Sequence, residues 1–344
     1  MVTVHDPDAQ TITDAHNRIL RYNNERDFAA RQQKPTEGVL YHYTTVDGLK
    51  GIIENNEIWA TSAYYMNDSA EILYGYRVLH LALESWLKDK NLSDDSIGRG
   101  LAESFIRHFG HDALQRNVVT PIYLTCFCED GNLLSQWRAY GSSSGYNIGF
   151  QVPMEGIVYG LAPEPLVYTS RCEKVEYESE KQFQRVRELL DFLLPILDEP
   201  RVAASIRSID TASPLGFQQL QSTIQEVLVE ECIGFKDSAF AVEKEWRVIT
   251  RSRAHLKQSK DDGNHRSLPV HFRTARGQLI PYVKLKPNNS PTPIVGNGKQ
   301  LPLADITCGP GGDQISSGMA IRALLDGRDF QTVRVKHSKI PLVF

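Results

Sequence analysis

Tyr146-Asn147-Ile148-Gly149-Phe150-Gln151-Val152 alternates apolar and polar side chains with a period of two, the pattern of a strand with one buried face. Upstream, residues 118–128 are mostly apolar and strand-like, interrupted by Pro121, and one or two amphipathic turns separate the two runs. Further out, Val39-Leu40-Tyr41-His42-Tyr43-Thr44 is β-branched and aromatic over a strand's length, and sheet character returns at 245–250, 279–286, 305–308 and 332–336. Helical spacing fills the gaps. Leu49, Ile52 and Ile53 follow a Thr45 N-cap, Ile72, Leu73, Tyr76, Leu79 and Leu83 recur within 69–87, and 315–325 follows Gly309-Pro310-Gly311-Gly312. Two strong amphipathic patterns, 179–197 and 215–232, occupy the middle, and Pro195 is expected to kink or end the first. This mixture predicts an α+β chain with a central, mostly antiparallel sheet, flanking helices and a helical insertion at about 179–232. Residues 1–36 read as an N-terminal helical appendage with a thin stripe of Ile19, Leu20, Tyr22 and Phe28, and 37–344 as a single domain.

The 344 residues are 41% hydrophobic and 23% charged, a balance that allows a sizeable core. Thirty-eight Lys plus Arg against 42 Asp plus Glu leave a formal charge of -4, so there is no global positive field to draw in nucleic acid, and any such binding is local. Five cysteines without a CxxC pair make neither a disulfide framework nor a zinc ribbon, and a reducing cytoplasm is the expected location. The N-terminus lacks a basic and then apolar run, and no stretch approaches 18 uninterrupted apolar residues, so neither secretion nor membrane spanning is expected.

Four constellations carry the polar chemistry. In the first strand Leu40, His42 and Thr44 share one face while Tyr41 and Tyr43 take the other, which leaves His42 as either a satisfied structural histidine or a site residue. In Asn67-Asp68-Ser69-Ala70-Glu71, Asp68 or Ser69 caps the next helix, or Asp68 and Glu71 together bind a cation or ribose hydroxyls. Gln136-Trp137-Arg138-Ala139-Tyr140 precedes a Gly141-Ser-Ser-Ser-Gly145 loop, so Trp137 and Tyr140 either enter the core or face an aromatic ring beside a phosphate. Finally, a strand beginning near Glu243 puts Glu243, Glu245, Arg247 and Ile249 on one face, a convergent acidic site or a solvated ion-pair ladder. Cys126 and Cys128 share a strand face and read as small core residues.

The order of these pieces resembles a bacterial family catalogued only as a domain of unknown function, number 2971. The matching segments are YHYT at 41–44, NDSAE at 67–71, SQWRAYGSSSGYNIGF at 135–150, FKDSAFAVEKEWRVI at 235–249 and ITCGP at 306–310. Around Trp137 the family often has Met, Trp, Ser, His, Tyr where this chain has Gln136, Trp137, Arg138, Ala139 and Tyr140. A weaker likeness is to the ADP-ribosyltransferase class, whose first strand bears YH and T, whose second ends in T and S, and whose late strand bears ExE. That resemblance implies that His42 holds a ribose, Glu245 hydrogen-bonds the nicotinamide ribose, Glu243 is the accessory glutamate, and one of Tyr64, Tyr65, Tyr140 and Tyr146 stacks on nicotinamide. Thr44, Lys236, Arg247 and the amides of 141–145 are the donors available to the pyrophosphate.

The expected function is therefore consumption of NAD, by ADP-ribosyl transfer to a protein or nucleic-acid acceptor or by hydrolysis, in the setting of an intracellular toxin or phage-defence effector. NAD is then a substrate, and no metal or further cofactor is expected. Two rivals stand beside it. One is a metal-dependent nuclease or phosphoesterase using Asp68, Glu71, Glu243 and Glu245; the other is a non-catalytic module that binds a nucleotide or a protein.

Overall fold

The computed structural model describes residues 7–32, 38–66, 69–108, 122–140, 145–152, 170–208, 215–251, 268–275, 277–287, 300–311 and 313–341. In chain order its first elements are α1 (Pro7–Gln32), β1 (Gly38–Thr44), α2 (Val46–Asn55), β2 (Ile58–Ser62), α3 (Ser69–Lys90), α4 (Ile97–His108), β3 (Ile122–Cys128), α5 (Leu134–Tyr140) and β4 (Tyr146–Val152). There follow β5 (Ser170–Lys174), α6 (Ser179–Leu197), α7 (Pro200–Ser208), α8 (Leu215–Ile233), β6 (Glu245–Arg251), β7 (Val270–Ala275), β8 (Gln278–Leu285), β9 (Leu303–Cys308), α9 (Gln314–Asp326) and β10 (Arg334–His337). The fold is α+β, and its residues form two compact units.

The helical unit draws on Met1–Ala29, Met66–Thr120 and Glu176–Ser238. Its core joins Ile12, Ala15 and Ile19 of α1 to Leu79, Leu83 and Trp86 of α3, Leu101 and Phe105 of α4, Val186, Leu190 and Leu194 of α6, and Leu220, Ile224 and Leu228 of α8. The N-terminal helix is thus a structural member of this bundle and not an appendage, because Ile12, Ala15 and Ile19 are buried among the others and Tyr22 packs against them. The helices at 179–232 likewise share that core with α3 and α4 instead of forming an insertion on their own. Pro195 falls in the last turn of α6, where the helix ends two residues later at Leu197. Asp198 accepts from the Ile97 amide at 2.7 Å and from Ser96 Oγ at 2.6 Å, which ties the start of α4 to the end of α6.

The sheet unit comprises Ala30–Tyr65, Pro121–Val175 and Ala239–Phe344. Its open, mostly antiparallel sheet has the order β10-β9-β4-β1-β3-β2-β8-β7, and β6 pairs both β3 and β5. The β9–β10 pair is parallel. The short β1–α2–β2 connection is set by local chemistry. Thr45 caps α2 by accepting from the Gly48 amide, Asn56 ends it in a left-handed conformation, and Gly48 leaves room for the Thr44 hydroxyl. Leu49, Ile52 and Ile53 of α2 and Ile321 and Leu325 of α9 cover one face of the sheet, burying Leu40, Phe127, Ile148, Phe150, Trp246 and Val248.

Candidate functional site

Strand pairing assigns every side chain of the central sheet to one of two faces. Tyr41 is opposite Cys128, and β3 pairs β6 with Phe127 opposite Trp246 and Cys128 opposite Glu245. Alternation then puts Leu40, His42, Phe127, Trp246 and Val248 on the face covered by α2 and α9, and Tyr41, Tyr43, Cys126, Cys128, Glu245 and Arg247 on the other.

His42 and Glu245 therefore point to opposite sides of one sheet, which corrects the expectation that they meet in one crevice. The His42 ring lies 5.7 Å from that of Phe127, its Nδ1 is 2.9 Å from the Cys126 carbonyl, and burial lowers its pKa. It is the satisfied structural histidine. Thr44 shares its face and sits over Gly48, again away from Glu245.

Glu245 opens β6 on the second face. The Arg247 guanidinium donates to it twice, Nε to Oε1 at 2.7 Å and Nη2 to Oε2 at 3.3 Å, and each side chain is about 5% exposed or less. Glu173 of β5, also buried, is opposite Arg247, so two carboxylates flank one guanidinium. Glu243 is not on this ladder. It ends a 3-10 turn over Ser238–Glu243, and Lys244 follows in the left-handed region at φ 43°, which breaks the alternation before the strand begins.

Beside the acidic pair the same face carries an aromatic cluster of Tyr43, Cys128 and Trp137 with Tyr41 and Tyr140 at its margin. Trp137 meets Tyr43 edge-on at 4.9 Å and donates from Nε1 to Asn132 Oδ1 at 3.0 Å. It is fully buried, so it is a core residue bracing the turn after β3 and not an exposed stacking surface. The Tyr43 hydroxyl donates to the Asp130 carbonyl at 2.9 Å and accepts from the Leu133 amide at 2.8 Å, and burial raises its pKa well above the ordinary tyrosine value. Asn147 donates to the Gly131 carbonyl at 2.6 Å. Of the proposed stacking tyrosines, Tyr146 is buried in the opposite core, Tyr65 is exposed after β2, and Tyr140 borders the cluster on the Glu245 face.

Lys236 belongs to the helical unit, where its carbonyl accepts from Gln182 Nε2 at 2.9 Å. Asn67 and Asp68 lie outside the described residues; Glu71 falls in the first turn of α3, and its side chain is likewise outside them. Among the described residues no group of three His, Cys, Asp or Glu side chains is arranged to hold a metal ion, and no helix is long and apolar enough to cross a membrane. Sequence reasoning missed Glu173 and the part played by Tyr43. The alternation of Tyr41 and Tyr43 against His42 held the signal for Tyr43, whereas nothing in Ser-Arg-Cys-Glu-Lys marks Glu173.

Residues 136–248 match the model of a family described as a protein of unknown function, DUF2971. The resemblance to that family is thus shown over this stretch. The matched stretch runs from Gln136 through β4, β5 and α6 to α8 and ends within β6, so it holds Glu173, Glu245 and Arg247 but not β1 with His42. No curated protein and no solved structure matches the chain.

Proposed function

We propose that the chain consumes NAD at the Glu245 face of the sheet, cleaving the bond between nicotinamide and ribose and passing ADP-ribose to water or to a macromolecular acceptor. The observation that carries this reading is the Glu245–Arg247 pair. A forked guanidinium fixes both carboxylate oxygens, so the carboxylate is oriented before any substrate arrives. When the C1'–N bond breaks, its electron pair leaves with nicotinamide and positive charge develops on the ribose. Glu245 would stabilise that charge and accept a hydrogen bond from a ribose hydroxyl. Water or an acceptor hydroxyl then adds at C1' and loses its proton. Tyr140, at the margin of the aromatic cluster, is the side chain this reading assigns to the nicotinamide ring. His42, Glu243 and Trp137 have no part in it.

The test is incubation of the purified chain with NAD, followed by chromatography for nicotinamide and mass spectrometry for ADP-ribose on added protein or oligonucleotide. Release of nicotinamide that Glu245→Gln abolishes is the expected result. The near-complete burial of Glu245 favours a second reading, a non-catalytic module in which the ion pair braces the sheet. Intact NAD, together with a Glu245→Gln variant that is altered only in thermal stability, would establish that reading and overturn the first.

A further inference from the structure

Three strands at the far side of the sheet unit bring together residues that sequence spacing keeps apart. β2 pairs β8 with Trp59 opposite Lys284 and Thr61 opposite Tyr282, and β7 pairs β8 with His271 opposite Tyr282 and Arg273 opposite Ile280. Trp59, Tyr282, His271, Lys284 and Arg273 accordingly share one face. The Trp59 and Tyr282 rings stack at 4.2 Å with 28° between their planes, and the His271 ring lies 5.5 Å beyond Tyr282. Trp59 is 38% exposed, and its indole N–H is held by Glu57 at 2.8 Å, so the ring is both presented and fixed.

The charge around this aromatic row is cationic. Lys284 and Lys286 both reach the fully buried Glu57 at 2.9 Å, and Arg273 stands alongside with its Nε buried and lacking an acceptor among the described residues. Among the described residues three cations gather around one carboxylate here, on a chain whose overall charge is -4. Burial and the two lysines lower the His271 pKa, which suits a neutral ring that stacks.

We propose that this face binds single-stranded nucleic acid, a base stacking on the exposed Trp59 ring, which the buried Tyr282 ring backs, while Lys284, Lys286 and Arg273 meet the phosphates. Flat aromatic rings interleaved with cations are what an unpaired strand requires, since every base has a π-face and every linkage a charge. The surface is independent of the NAD reading, which uses other residues.

The test is fluorescence anisotropy of a labelled single-stranded oligonucleotide of mixed sequence titrated with the full chain. Three phosphate contacts predict a log–log salt slope of about -2, made shallower by about 0.7 in Lys286→Gln. Trp59→Ala should weaken binding about tenfold, and Trp59→Phe, which keeps a ring, by less. Phe272→Ala, on the opposite face of the same hairpin, should bind as the parent does. No binding by the parent at low salt, equal binding of a duplex of the same sequence, or unchanged binding by Trp59→Ala would each overturn the proposal.

Discussion

Burial of the His42 imidazole against Phe127 lowers its pKa, and that has a consequence for stability. Between the folded and the unfolded pKa the unfolded chain holds the proton and the folded chain does not. Stability therefore rises with pH across that window and is lost as pH falls below the unfolded value of about 6.5. Thermal midpoints should drop from about pH 7.5 to about pH 5.5, and His42→Gln should flatten the decline because glutamine keeps a donor for the Cys126 carbonyl and takes up no proton. An identical slope in the variant would show that His42 does not set it. Glu245 makes the opposite case, a charge buried with its partner. Glu245→Ala removes the carboxylate that the Arg247 fork holds and should cost about 3–5 kcal/mol in urea unfolding, whereas Glu245→Gln retains an acceptor and should cost less. Comparable small losses in both would mean that the guanidinium finds other partners.

Two glycines in helices give contrasting predictions for the elements. Gly75 of α3 lies so near the Cys232 carbonyl of α8 that a Cβ would force the helices apart, and Gly75→Ala should destabilise by about 1–3 kcal/mol. Gly100 of α4 faces open space, and Gly100→Ala should stabilise by about 0.4–1 kcal/mol, read by calorimetry on the same preparation. The reverse order would contradict the helix contacts described. Elements were legible in the sequence where a segment's own side chains dictate its structure. The extent of β4, the N-cap and apolar spacing of α2 and the long stripes of α6 and α8 coincide with what is observed, whereas β4 is buried on both faces, Asn147 and Gly149 included, and not on one. β5 was not legible, because Arg171, Glu173 and Lys174 leave it no alternating apolar face and pairing with β6 makes it a strand. α4 carries two glycines, Gly98 and Gly100, in its first turn, and β7 follows a long polar run. The left-handed Lys244, which removes Glu243 from the β6 ladder, has no sequence signal at all because lysine seldom adopts that conformation.

For the whole molecule, period-two reasoning sorted His42 from Tyr41 and Tyr43, and Glu245 and Arg247 from Trp246, correctly within each strand. It had no means to match the faces of two strands some two hundred residues apart. That match comes from the β1–β3 and β3–β6 registers, and it moves the candidate site from the histidine to the tyrosines. The helical unit was harder still, since three separate stretches build its core and α1 on its own looks like a polar helix. The proposed NAD chemistry belongs to the Glu245 face alone. The most direct measurement compares the rate of nicotinamide release by the parent, His42→Gln and Glu245→Gln, each checked for a native circular dichroism spectrum. Release that persists in His42→Gln and vanishes in Glu245→Gln is the predicted result; release that depends on His42 and survives without the Glu245 carboxylate would contradict it.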